Sequence, residues 1–244
     1  MTATTPKLTL RDFFSFTIIT LVYAMFPLLI VGRWDWWPGW AYAALMILST
    51  LLSRVIAFRK NPGILAERAR SLDNKDAKEW DKKLVPFAAM LGPLAILITS
   101  GLDARFGWTP SLSVVEGSVV EGLPGWVPLA GLILLILALA LGDWAFVENK
   151  FFSGTVRIQT DRGHYVIETG PYRSVRHPGY VSATWSYLAI PLLFGSLWGL
   201  IPGLFTAALF ILRTALEDKT LQEELPGYKE YTQKTKYRLW PGVW

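Results

Sequence analysis

The chain has 244 residues, of which 52% are hydrophobic, with no cysteine, two histidines and a formal net charge of +5. The absence of cysteine excludes disulfides, thiolate metal sites and a cysteine nucleophile, and two histidines argue against a histidine metal centre. The apolar residues fall in runs longer than an ordinary buried helix, so the chain reads as an all-α polytopic membrane protein.

Six runs are predicted to span: Phe13 to Val31, Trp40 to Phe58, Leu84 to Gly101, Trp126 to Val147, Val181 to Trp198 and Gly203 to Leu216. The last two are short for a hydrocarbon core of about 30 Å and are joined around Pro202, so a tight helical hairpin is expected. The first run is too long for a cleavable leader and lacks a small-residue cleavage site, so it is expected to stay in the mature protein.

Basic residues alternate between sides. Lys7 and Arg11 precede the first span, and Arg59, Lys60, Arg68, Arg70, Lys75, Lys78, Lys82 and Lys83 follow the second. Lys150, Arg157, Arg162, Arg173 and Arg176 follow the fourth, and a third basic cluster follows the sixth; the opposite loops hold only Arg33 and Arg105. This is the positive-inside pattern. It predicts both termini, the 59–83 loop and the 148–180 segment on the cytoplasmic side, in a bacterial inner membrane. It also assigns the charge to anionic lipid rather than nucleic acid.

Trp34, Trp36, Trp37 and Trp40 are expected to form an interfacial belt, and Arg54 lies close enough to the end of its span to snorkel. The 59–83 loop alternates charge with apolar residues, as a helix lying on the membrane surface does. The outer loop from Leu102 to Pro124, with Glu116 and Glu121, suggests no chemistry. From Thr155 to Glu168 two β-prone runs flank Asp161-Arg162-Gly163, which predicts a small cytoplasmic β-hairpin. Thr169-Gly170-Pro171 then turns the chain, and Pro178 suits the first turn of the fifth span.

Two polar clusters border the hairpin of the last spans, where an unpaired charge is costly and usually functional. A helix start beside Arg173, Arg176 and His177 could hold a carboxylate or phosphate, although a basic loop on lipid headgroups has the same composition. Arg213, Glu217 and Asp218 stand at i, i+4 and i+5, so Arg213 and Glu217 share a helix face. They could bind substrate or merely pair with each other. A short turn between the spans returns both clusters to one surface. Tyr228, Tyr231, Tyr237 and Trp240 follow in a polar tail, as interfacial anchors or as rings closing over a planar ligand.

The stretch from Val156 to Tyr180 and then Arg213 to Trp244 resembles the isoprenylcysteine carboxyl methyltransferase family, including the related phospholipid methyltransferases. The resemblance implies S-adenosylmethionine as cofactor, bound from the cytoplasm, and a lipophilic acceptor arriving from the membrane. It implies cofactor contacts at Gln159, His164, Tyr165, Val166, Ile167, Tyr172, His177, Pro178, Gly179, Tyr180 and Glu217, with the hairpin and C-terminal tail forming the site. It gives Arg213 to the substrate and makes Arg213 and Glu217 the catalytic pair, with no metal. Residues 1–124 would then be an N-terminal transmembrane region and 125–244 the catalytic region. A sulfonium methyl is already activated, so a carboxylate acceptor needs alignment and exclusion of water more than a base. An amine acceptor would need a deprotonation, with Glu217 or Asp218 as base. The expectation is carboxyl O-methylation of an isoprenylcysteine-like lipid. The alternatives are N-methylation of a phospholipid amine, an NADPH-dependent sterol-type reductase, and a non-catalytic lipid-binding protein.

Overall fold

The computed structural model describes residues 10–61, 63–69, 74–110, 113–115, 118–120 and 123–244, with side chains for 17–61, 63–68, 74–110 and 123–244. Lys7, Arg70, Glu116 and Glu121 lie outside the described residues, as does the side chain of Arg11. Long helices form where the apolar runs predict them, because in a bilayer a helix satisfies its own backbone polar groups. In chain order the helices are α1 (Leu10–Val31), α2 (Trp37–Lys60), α3 (Gly63–Ala69), α4 (Glu79–Val85), α5 (Gly92–Phe106), α6 (Val127–Glu148), α7 (Pro178–Leu193), α8 (Leu200–Glu224) and α9 (Tyr228–Lys234), of which α3, α4 and α9 are short. A π-turn, Pro86–Leu91, joins α4 to α5, making one continuous helical run from Glu79 to Phe106. Four segments are apolar and long enough to cross a membrane: α2, Glu79–Phe106, α6 and α8. Residues Thr17–Val31 of α1 form a shorter apolar helix.

Of the two last spans, both expected to be short, one is short and the other is not. α7 is short, with 16 residues, about 24 Å at 1.5 Å per residue. α8 is not: its 25 residues continue past Leu216 to Glu224. The apolar run ends before the helix does because Arg213 and Asp218 turn inward, where Asp218 is 0% exposed. α7 packs against α6, α8, α5 and α2. Small residues allow the close approach: a Cβ on Gly131 of α6 would overlap the backbone of Leu193, and one on Gly203 of α8 would lie 2.6 Å from the Tyr187 carbonyl. Such pairs of small residues are the usual contacts of helices in lipid. The core around Tyr42, Ile96, Leu97, Leu135, Ala189 and Leu193 fills the bundle.

The α7–α8 turn is fastened to the end of α5. Gly195 takes φ +67°, Ser196 Oγ donates to Asp103 Oδ2 at 2.5 Å, and Thr109 donates to the same carboxylate through its N–H and hydroxyl. Nearby, Trp34, Trp37 and Trp40 are exposed, whereas Trp36 turns inward against Phe194, with ring centroids 4.7 Å apart.

At the other end of the bundle, the predicted β-hairpin between Thr155 and Glu168 is absent. Neither of its two arms forms a strand; they are joined by a 3-10 turn at Thr160–Arg162. The first arm bonds sideways instead: Val156 N donates to Asp81 Oδ2 at 2.7 Å, and the Val156 carbonyl accepts Lys78 N at 2.9 Å. The one described strand pair, Ser113–Val115 with Ser118–Val120, lies in the loop before α6. The 59–83 loop is also more than a surface helix. It forms α3 and α4 and buries Glu67 (6% exposed) and Asp81 (0%).

Candidate functional site

A cavity of about 340 Å³ opens at this end of the bundle, within the size range of small-molecule sites. Its walls come from α3, the 149–167 arms, the start of α7, the second half of α8 and the α9 tail. Of the residues expected to form the site, Gln159, His164, Tyr165, Val166, Ile167, Tyr172, His177, Gly179, Tyr180, Arg213 and Glu217 line it. Pro178 does not; it is buried at the first turn of α7, where its fixed φ suits the helix start.

Arg176 and His177 at the start of α7 are already engaged with Asp218, so these two side chains are not a waiting anion site. Asp218 accepts Nε and Nη2 of Arg176 at 2.7 and 3.0 Å, Nε of Arg238 at 2.8 Å, Nε2 of Gln222 at 2.7 Å and the Tyr228 hydroxyl at 3.1 Å. His177 Nε2 lies 3.2 Å from the same carboxylate. The C-terminal strap is held alongside by Arg176 N–H to Tyr237 O and His177 N–H to Arg238 O, at 2.9 and 3.0 Å. Arg176 Nη1 donates to the carbonyls of Thr235 and Lys236. Asp218 thus joins α7, α8, α9 and the tail, and carries Tyr228 to the cavity wall.

Arg213 and Glu217 do not pair, although their spacing permits it. Arg213 turns to Asp81, donating Nε to Oδ1 at 2.7 Å and Nη2 to Oδ2 at 3.0 Å, with Nη2 also 2.9 Å from the Gly154 carbonyl. No hydrogen bond of its Nη1 is seen among the described residues, and Arg213 lines the cavity. Glu217 instead accepts the Tyr180 hydroxyl. Tyr180 stacks on His177, ring centroids 5.7 Å apart, and lies under the Arg213 guanidinium at 5.3 Å.

Gln159 is a brace rather than an open contact. Its Nε2 donates to Phe151 O at 2.6 Å and its Oε1 accepts Arg162 Nη1 at 2.5 Å, which folds the two arms together. His164 Nδ1 accepts the Gln159 N–H at 3.3 Å. Burial, with Arg157 and Arg162 nearby, pushes its pKa down to about 4, so the ring is neutral at pH 7, with its proton on Nε2. Tyr172, whose carbonyl accepts the Tyr231 hydroxyl at 2.6 Å, has its pKa raised, chiefly by burial.

Three site residues carried no signal in the sequence. Asp81 and Glu67 sit in a loop of alternating charge, and their partners are remote: Glu67 takes Arg157 Nε and Nη2, each at 3.0 Å. Arg68 lines the cavity with its guanidinium 5.4 Å from the ring centres of both Phe146 and Phe152. Its pKa falls to about 10 through desolvation and the charges of Arg54 and Arg213. Ala89, Ala183, Tyr187 and Phe210 give the cavity an apolar end beside Arg213. Among the described residues no group of three His, Asp or Glu side chains could hold a metal ion.

Residues 131–223 match the isoprenylcysteine carboxyl methyltransferase (ICMT) family. With four helices long and apolar enough to cross a membrane, this match supports a membrane methyltransferase. No curated protein matches the chain.

Proposed function

We propose that the protein is an S-adenosylmethionine-dependent methyltransferase acting on the carboxylate of a lipophilic, isoprenylcysteine-like acceptor, with the cavity facing the cytoplasm. The observation that carries this reading is the joint lining of one cavity by an aromatic, mostly neutral region and an apolar end edged by guanidinium groups. The first region fits the cofactor. Tyr172, Tyr228 and Tyr231 offer ring faces for an adenine, neutral His164 adds no repulsion toward a cation, and Glu217 can accept hydrogen bonds from an ammonium or ribose hydroxyl. When bound, S-adenosylmethionine supplies an electrophilic methyl group on a sulfonium.

The chain's own residues then align the acceptor. Arg213 Nη1 donates to the carboxylate and orients it, while Ala89, Ala183, Tyr187 and Phe210 take the adjoining apolar chain and exclude water. Glu217, fixed by Tyr180, holds the cofactor side. No base is needed, because the acceptor is already anionic. Arg68 and Arg213 on one cavity favour an anionic headgroup over an amine, which supports O-methylation over the phospholipid-amine alternative.

Calorimetric titration of detergent-purified protein with S-adenosylhomocysteine, with NADPH as comparison, tests the proposal. Saturable binding of the first alone is expected, weakened about tenfold or more in Glu217→Gln by loss of a charge-assisted contact of about 1.5 kcal/mol. Binding of NADPH alone, or of neither, refutes it.

A further inference from the structure

Arg213 and Glu217 lie one helical turn apart, where oppositely charged side chains attract. If they paired, the guanidinium meant for the acceptor and the carboxylate meant for the cofactor would cancel each other. In the structure Arg213 is bonded to Asp81 instead. Asp81 is 0% exposed, takes one edge of the Arg213 guanidinium through Nε and Nη2 at 2.7 and 3.0 Å, and is itself fixed by the Val156 N–H at 2.7 Å. The Gly154 carbonyl also takes Nη2, so among the described residues Nη1 is the guanidinium nitrogen left without a hydrogen bond, on a residue that lines the cavity. A buried ion pair of this kind adds little net stability over an apolar pair, so stability alone does not account for it. Asp81 also lies outside the 131–223 stretch that carries the family match.

We infer that Asp81 is a positioning residue for the reaction: it draws Arg213 away from Glu217 and aims Nη1 at the acceptor. The inference rests on the methyltransferase reading above. Without Asp81, Arg213 swings to Glu217 and both halves of the site are impaired at once.

The test is a double-mutant cycle with Asp81→Asn and Arg213→Gln in the full-length protein. It reads S-adenosylhomocysteine affinity by calorimetry and methyl transfer to an S-farnesylated N-acetylcysteine in micelles. Asp81→Asn is expected to lower turnover on the order of 100-fold, the effect of a misplaced positioning group, and to weaken S-adenosylhomocysteine binding about tenfold or more. Adding Arg213→Gln should restore that binding, because no guanidinium remains to occupy Glu217, and should leave transfer no worse than in Arg213→Gln alone. Losses that add in the cycle, with no restored binding, overturn the inference. If Asp81→Asn does not fold, Asp81→Glu keeps the charge and shifts it by one methylene. Turnover should then fall with cofactor affinity retained, and unchanged turnover overturns the inference. A wild-type protein that neither binds S-adenosylhomocysteine nor transfers methyl groups removes the functional reading and this inference together. A wild-type protein that does both, with additive variants, removes only this one.

Discussion

Asp218→Asn removes the one negative charge among Arg176, Arg238, Tyr228, Gln222 and His177 while keeping the shape of the side chain. Breaking a buried ion pair by neutralising one partner costs about 3–5 kcal/mol, because the other charge is left buried. Two features place this case at the lower end. Arg176 keeps its bonds to the Thr235 and Lys236 carbonyls at 2.9 and 2.7 Å, and Arg238, whose side chain is 31% exposed, can turn to water. A cost of about 3 kcal/mol is roughly a 100-fold rise in local opening. The charged partners of Asp218 lie just before α7 and in the tail, so the loss should be greatest in the α9 tail and the start of α7. Hydrogen exchange read by mass spectrometry is the direct assay, since the Arg176 and His177 amides are closed by Tyr237 O and Arg238 O. Protection of peptides covering 174–178 and 235–240 should fall about 100-fold while peptides within α6 stay unchanged. Protection within about threefold of wild type in those peptides refutes the claim that Asp218 holds the strap in place.

Gly131→Val should separate α6 from α7, since even a Cβ would overlap the Leu193 backbone; overpacking of this kind costs about 1–3 kcal/mol, seen as a lowered thermal midpoint in detergent, and an unchanged midpoint contradicts the packing. His164 gives a pH dependence with a definite sign. Its folded pKa, about 4, lies below its ordinary 6.5, so the unfolded chain binds the extra proton first. The contribution is complete above pH 6.5 and is lost as pH falls from 6.5 to about 4. His164→Gln should flatten the fall in stability between pH 6.5 and 4.5, and an equally steep fall in the variant excludes His164 as its source.

What could be read in the sequence and what could not divides by the range of the interaction. Apolar length marked each long helix, because a membrane span is a local property of about 20 residues. The resemblance drew attention to residues of the cavity wall from Gln159 to Tyr180, since those residues are consecutive in the chain. The end of α8 was misjudged because hydrophobicity stops at Leu216, while the helix is carried on by buried polar groups whose partners lie elsewhere. The β-hairpin failed for a related reason. Thr155, Val156 and Ile158 are β-prone, but Val156 gives both its backbone groups to residues 78 and 81, leaving the other arm unpaired.

The same division explains the charges. Arg176 and His177 look like ligands for an anion when only residues 170–180 are considered, yet the anion is Asp218, about 40 positions away. Arg213 looks free for a substrate, yet Asp81, 132 positions earlier, holds one edge of it by two hydrogen bonds; Arg157 is held by Glu67 across 90 positions. Asp81 and Glu67 precede the family-matched stretch 131–223, and Tyr228, Tyr231 and Arg238 follow it. The matched stretch therefore supplies much of the cavity wall, while several of the groups that neutralise and orient its arginines come from segments on either side. A variant confined to the 63–81 region should for that reason disturb Arg157 and Arg213 as directly as one in the matched stretch itself.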